Sequence, residues 1–211
     1  MALTKVIGNG LGTLGDGTAN DTKIVFDGNA QDFHVGLDDS TDSLTIGLGS
    51  TLGTTSHIVI DANGHITKPL QSAFQAKVQT GGQASFAYNA AQTIIFSRET
   101  FDQNADFDTS TYTFTAPVTG KYQLQLNVLV TYLDYNAGYY QTYLQTSNQF
   151  YYSTIDPDMG GKDFTYFNLN SNVIADMDAN DTAICKILQS GGTSGHSNLD
   201  SSCTFSGMLI G

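Results

Sequence analysis

The chain has 211 residues, 40% hydrophobic and 11% aromatic, enough to bury a sizeable core, so intrinsic disorder is excluded. Twenty acidic against eight basic residues leave a net charge of -12, a surface that repels phosphate backbones and anionic bilayers, so partners of either kind are not expected. No apolar run approaches the ~20 residues of a membrane span. Residues 1–10, MALTKVIGNG, lack the apolar core of a signal peptide, so synthesis in a cytoplasm is expected.

Taken in chain order, residues 1–68 are rich in Gly, Asp, Thr and Asn, with Phe26 and Phe33 their aromatic residues. TKIVFDGN (22–29) and SHIVIDANG (56–64) share the pattern Ile-Val-apolar-Asp-x-Asn, a weak internal repeat. DFHVGLDD (32–39) and DSLTIGLGS (42–50) lie between them, and each short alternating run reads as a strand. Asn63-Gly64 is a hairpin signal. Such a ladder of short strands buries little by itself, so it is expected to share a core with other copies or to lie along another protein. The Gly-rich run GNGLGTLGDG (8–17) follows no strand and opens no helix, which removes it as a dinucleotide loop.

HITKP (65–69) reads as the joint between residues 1–68 and a second domain, 69–211, that holds all eleven tyrosines. LQSAFQAKV (70–78) fits a helix and a strand equally well. KYQLQLNVLV (121–130) alternates cleanly: Tyr122, Leu124, Leu126, Val128 and Val130 point one way, and Lys121, Gln123, Gln125 and Asn127 the other. Further strands are predicted at 93–100, 111–116, 138–147, 149–155, 164–174, 182–189 and 203–210, separated by turn clusters. This spacing indicates an all-β sandwich or barrel.

The sequence carries no motif of a nucleophile–base set. His34, His57, His65 and His196 are scattered, and no Cys-x-x-Cys, His-x-x-x-His or Gly-x-Ser-x-Gly frame is present. An enzyme is therefore not expected. Carboxylates recur at two-residue intervals in DPDMGGKD (156–163) and DMDAND (176–181), as in loops that hold hard cations. Asp176, Asp178 and Asp181 are the candidate calcium ligands. The competing reading is a β-turn in which Asp and Asn cap backbone amides. No other cofactor is expected. Tyr139, Tyr140, Tyr143, Tyr151 and Tyr152 cluster in sequence and suit either core packing or a face that takes a glycan or receptor. Cys185 and Cys203 read as small buried hydrophobes, bridged only if their strands are neighbours.

Residues 104–130, NADFDTSTYTFTAPVTGKYQLQLNVLV, resemble the signature of the C1q/tumour-necrosis-factor-like domain through Asn104, Phe107, Asp108, Phe114, Pro117, Gly120 and Tyr122. CTFSGMLIG (203–211) resembles its closing strand through Phe205, Ser206 and Gly207, and SAFQAKV (72–78) its first strand, which tips that stretch to β. The aromatic that usually follows the tyrosine by two residues is Leu124 here. The resemblance implies a ten-stranded jelly roll assembled as a homotrimer, with Pro117 at the start of the main strand, Gly120 in the turn and Tyr122 opening the core row. It implies binding and assembly, not catalysis.

Residues 22–69 resemble the repetitive β segment that precedes the distal domain in fibre proteins of marine and cyanobacterial tailed phages, as does the start MALTKV. Together the resemblances imply a virion structural protein. Residues 1–68 would be its anchor or stalk, attached to capsid or tail proteins. Residues 69–211 would be a C1q-like knob for adhesion to a host-surface glycan or receptor, or for shell reinforcement. The alternatives are a capsid cement or head fibre with no receptor role, and a bacterial C1q-like adhesin outside a virion.

Overall fold

The computed structural model describes residues 14–86 and 88–211; MALTKV and most of the Gly-rich run lie outside them. Every regular element among the described residues is a strand. The chain divides into two compact units between Gln71 and Ser72.

The first unit is a single antiparallel meander of five strands in sequence order. They are β1 (Thr22–Phe26), β2 (Phe33–Asp38), β3 (Ser43–Leu48), β4 (Ser56–Ile60) and β5 (Ile66–Thr67). The hairpin marked by Asn63-Gly64 joins β4 to β5, and Asp61 Oδ1 closes it by accepting the N–H groups of Asn63 and His65, each at 2.9 Å. The joint read at 65–69 thus holds a strand of this sheet.

Because side chains alternate across a strand, the pairing register sorts this sheet into two unlike faces. Ile24, Val35, Ile46 and Ile58 form one cross-strand row. Leu37, Leu44, Ile60 and Ile66 form a second on the same face. Phe26, Phe33 and Leu48 form a third. The opposite face carries His34, Asp38, Ser43 and Thr45, all buried. The loop after β3 folds back toward that polar side. Leu48 N–H donates to Thr55 O at 2.9 Å, Leu52 is buried, and a Cβ on Gly53 would stand 2.9 Å from the Asp38 carboxylate.

The second unit contains β6 (Ala73–Lys77), β7 (Gln92–Thr93), β8 (Arg98–Asp102), β9 (Phe107–Asp108), β10 (Thr113–Thr115) and β11 (Gly120–Leu133). It continues with β12 (Ala137–Thr146), β13 (Phe150–Ile155), β14 (Phe164–Met177), β15 (Thr182–Gly191), β16 (Asn198–Leu199) and β17 (Thr204–Leu209). They form two sheets, one ordered β13-β12-β15-β10-β9 with β7 also on β15, the other β14-β11-β17-β6-β8 with β16 also on β11. This is a jelly-roll sandwich, with six strands in each sheet among the described residues where ten in all were expected. The surplus comes from two-residue strands such as β7, β9 and β16.

The strand read at 93–100 is in fact a corner. β7 pairs with β15 in one sheet and β8 with β6 in the other. Ile94 and Phe96, between them, are buried. The apolar alternation is real, but the hydrogen bonds change sheets in mid-run, which period alone cannot show. The core row of β11, Tyr122 to Val130, is buried as its alternation requires. Phe74 of β6 ties the sheets together: its ring stacks on Phe114 at 4.7 Å and Phe107 at 5.1 Å from the opposite sheet and meets Phe205 edge-on at 5.0 Å. Offset-stacked and edge-on pairs are the favoured aromatic geometries.

Candidate functional site

The signature residues frame the sandwich. Phe107, Phe114, Tyr122 and Phe205 are core. Tyr122 Oη donates to Val118 O at 2.7 Å, fixing the turn that carries Pro117 into β11. Pro117 is exposed and lies between β10 and β11, where a missing N–H disturbs no ladder. Gly120 is the first residue of β11, not a turn residue with positive φ. Its small size matters because a Cβ there would stand 2.7 Å from Leu209 Cδ1 and 2.9 Å from Gly211 O. Gly207 faces inward, and a Cβ on it would come within 2.7 Å of both Leu124 and Phe74.

The three candidate calcium ligands do not converge. Asp176 pairs with Lys121, Nζ to Oδ1 2.6 Å. Asp181 Oδ2 accepts Asp178 N–H at 2.9 Å and Asn148 Nδ2–H at 2.6 Å. Asp178 Oδ1 accepts the Thr119 hydroxyl at 3.4 Å. This is turn chemistry: the 178–181 turn also braces the start of β11, with Ala116 and Asp181 joined through Ala116 N–H and Asp181 O at 2.8 Å. Among the described residues no three His, Cys, Asp or Glu side chains group to hold a metal ion.

The tyrosines part according to strand alternation. Tyr140 is 0% exposed; its hydroxyl accepts Asp134 N–H at 3.0 Å and is hydrogen-bonded to Ser197 Oγ. Tyr140 therefore belongs to the core and not to a ligand face, since its even position on β12 points inward. Tyr151 packs partly against the same core. Tyr139, Tyr143 and Tyr152 stand on the outer side of the β13-β12-β15 sheet. Tyr143 lies opposite Tyr152 on one side and Lys186 on the other. The Tyr143 and Tyr152 rings meet edge-on at 4.9 Å, and Phe150 stacks on Tyr152 at 6.0 Å. Burial pushes the Tyr143 phenol above its ordinary value, and Tyr139 and Tyr152 push it the same way. The result is an exposed aromatic ridge with one cation beside it, suited to stacking on planar or sugar-ring faces. Phe150 and Lys186 escaped the sequence reading, because a search by residue type does not join strands.

The outer face of the other sheet is also distinctive. Ile174, Gln123, Met208 and Ala73 form one cross-strand row. Asn172, Gln125, Ser206 and Gln75 form the next, with Phe101 at its end. Neither row carries a charge. Ile174 and Met208 are exposed, at 63% and 50%. A shallow depression of about 190 Å³ lies between Phe101, Met208 and the glutamines.

Cys185 and Cys203 are both unbridged and buried, one on β15 and the other just before β17 in the opposite sheet. Burial raises the Cys185 thiol well above its ordinary value and takes Cys203 to about 11. Since the thiolate is the reacting species, neither is expected to react with a maleimide or disulfide reagent at pH 8 in the native chain, whereas both should react in denaturant. One thiol consumed per native chain would contradict the packing described.

The C1q domain family matches residues 73–210. No curated protein sequence matches the chain. Among solved structures, the globular domain of zebrafish complement 1qA is similar at 17% identity and a TM-score of 0.50, over 67% of this chain and 98% of that one. Murine APRIL at pH 8.0 is 12% identical with a TM-score of 0.49, over 66% of this chain and 99% of that one. Eiger TNF from S. frugiperda is 11% identical with a TM-score of 0.49, over 67% and 94%. A jelly-roll sandwich with the signature phenylalanines in its core, matched over 73–210, places the chain in the C1q domain family.

Proposed function

We propose that the chain is a virion structural protein of a tailed phage: a trimeric fibre or decoration protein, anchored to capsid or tail by residues 1–68. Its C1q unit, residues 69–211, acts as a knob for adhesion to a host-surface glycan or receptor, or for shell reinforcement. C1q domains are non-enzymatic binding and structural domains, which agrees with a chain whose motifs offer no catalytic set. The phage assignment is supported by the resemblance of residues 22–69 to fibre segments. The aromatic ridge of Tyr139, Tyr143, Phe150 and Tyr152 supports adhesion, because ring faces stack on sugars.

The observation that carries the trimer is an uncharged band, two rows deep, across the outer face of the β14-β11-β17-β6 sheet, bounded by the Lys121–Asp176 pair at one end and by Lys77 and Arg98 at the other. Copies with a net charge of -12 repel one another, so they must meet where charge is missing. The rows through Gln123 and Gln125 offer such a surface, with Ile174, Met208 and Phe101 as apolar contacts. Light scattering of the full chain at micromolar concentration is expected to give three times 22.6 kDa. Ile174→Asp, which adds a carboxylate per copy to that face, should part the knobs, read as faster maleimide labelling of a Met208→Cys thiol in the same row. A monomeric wild-type chain would sink the trimer. Electron microscopy of the source particle, with this chain located in the map, tests the virion role; absence from the particle removes it.

A further inference from the structure

The first unit shows an inversion that a self-sufficient sheet would not tolerate. Its polar face is the buried one, while its apolar face lies open. Phe26 and Ile66 are 59% and 65% exposed, and Ile24, Phe33, Leu37, Leu44 and Ile46 are exposed with them. These seven side chains alone leave on the order of 700 Å² in water, close to the ~800 Å² that each partner gives to a standard interface. It also exceeds the few hundred Å² of contiguous apolar surface usual on a monomer. Rows on three successive registers, spanning four, four and three strands and together touching all five, make one patch and not scattered residues.

We infer that this face is a self-association surface, covered by the same face of other copies of this chain, so that the sheets pack against one another around a shared dry core. The face is made chiefly of Ile, Leu, Val and Phe, with Thr22 beside Leu37 and the His57 ring against Phe33 at its margin, and it carries no carboxylate or ammonium, so identical copies can meet on it despite the charge of the whole chain. Sheets that pack face to face stand ~10 Å apart and interdigitate branched side chains of this kind. Ile46 is at the centre, with Val35 and Ile58 beside it on the neighbouring strands. The burial of His34, Asp38 and Thr45 on the other side fits the same arrangement. That side is turned toward its own loop, leaving the apolar side for the assembly. That three copies meet rests on the trimeric reading of the C1q unit; that copies meet through this face does not.

The test uses single cysteines in the full chain: Ile46→Cys at the centre of the apolar face, Phe26→Cys toward its edge, and Lys23→Cys on the opposite face. Both native cysteines are buried, so the added thiol is the reactive one. The Ile46→Cys thiol is expected to react with a maleimide at least tenfold more slowly than the Lys23→Cys thiol. With a bismaleimide reaching ~10 Å, the sheet-to-sheet spacing, Ile46→Cys and Phe26→Cys should give covalent chain-to-chain dimers in at least fivefold excess over Lys23→Cys. An Ile46→Cys thiol that labels as fast as Lys23→Cys overturns the inference. So does a protected thiol with no chain-to-chain product at either position, which would mean that this chain's own residues or another protein cover the face. The knob reading is separated by repeating the assay on Ile174→Asp: persistent dimers through Ile46→Cys in a chain whose knobs have come apart uphold this surface alone. A trimer by mass with a freely labelled Ile46→Cys thiol upholds the knob alone.

Discussion

Phe74→Ala should destabilise the C1q unit by about 3–5 kcal/mol, the range for deleting a large buried aromatic side chain. The size follows from where the ring sits. Phe74 is 1% exposed, stacks on two phenylalanines of the facing sheet and meets Phe205 of its own. Its removal opens a cavity at the centre of a sandwich whose strands cannot close on it without giving up register. Gly207 tightens the same spot, because the space a Cβ would need there is already taken by Phe74 and Leu124. The chain has no tryptophan, so tyrosine fluorescence and circular dichroism are the probes for urea unfolding. Phe150→Ala is the control: Phe150 is exposed on the outer ridge, and a surface change of this kind is usually within about 0.5 kcal/mol. A loss under ~1 kcal/mol for Phe74→Ala would mean that the sheets are not held through this cluster.

What was legible in the sequence was whatever one strand carries alone. The row Tyr122 to Val130 could be read inward from its period, and the structure buries all five side chains. The same rule, applied to β12, would have separated Tyr140 from Tyr139 and Tyr143; grouping tyrosines by proximity in sequence hid it. What could not be read depends on partners across strands. The Ile94–Phe96 stretch alternates like a strand, yet its neighbours belong to two different sheets. Lys186 joins the aromatic ridge only through its register with Tyr143. DMDAND offers the same carboxylate spacing to a cation or to a turn, and only the positions of Lys121, Thr119 and Asn148 show where those oxygens are used. In the first unit the alternation is plain, but a lone strand does not say which of its faces the fold buries. Asp134 gave no signal either, for its partners are backbone amides, which have no residue type.

Asp134→Ala should cost about 3 kcal/mol at pH 7, because it removes a buried charged acceptor and leaves two amides without a partner. Asp134 is 2% exposed; its Oδ1 accepts Asn136 N–H at 2.9 Å and its Oδ2 accepts Thr193 N–H. It thereby clamps the turn between β11 and β12 to the loop after β15, next to the point where its own N–H meets the Tyr140 hydroxyl. Burial presses the Asp134 carboxyl upward, but the Thr193 and Asn136 amides outweigh it and hold the group below its ordinary value. A carboxyl depressed in the folded state stabilises fully above its unfolded value of ~3.9, and that contribution disappears as pH falls through the folded value. The gap in stability between wild type and Asp134→Ala should therefore be constant from neutral pH down to about pH 5 and narrow below about pH 4. Asp108, held to about 2 by the hydroxyl and amide of Ser110 and by Thr111, works in the same direction. Its window extends the acid limb of the wild type further down but leaves the difference between the two proteins untouched, since both retain Asp108. Urea midpoints measured at pH 7, 5 and 3 decide the matter. A gap that widens in acid would show that the carboxyl is protonated in the fold and that its burial, not its two amides, governs the site.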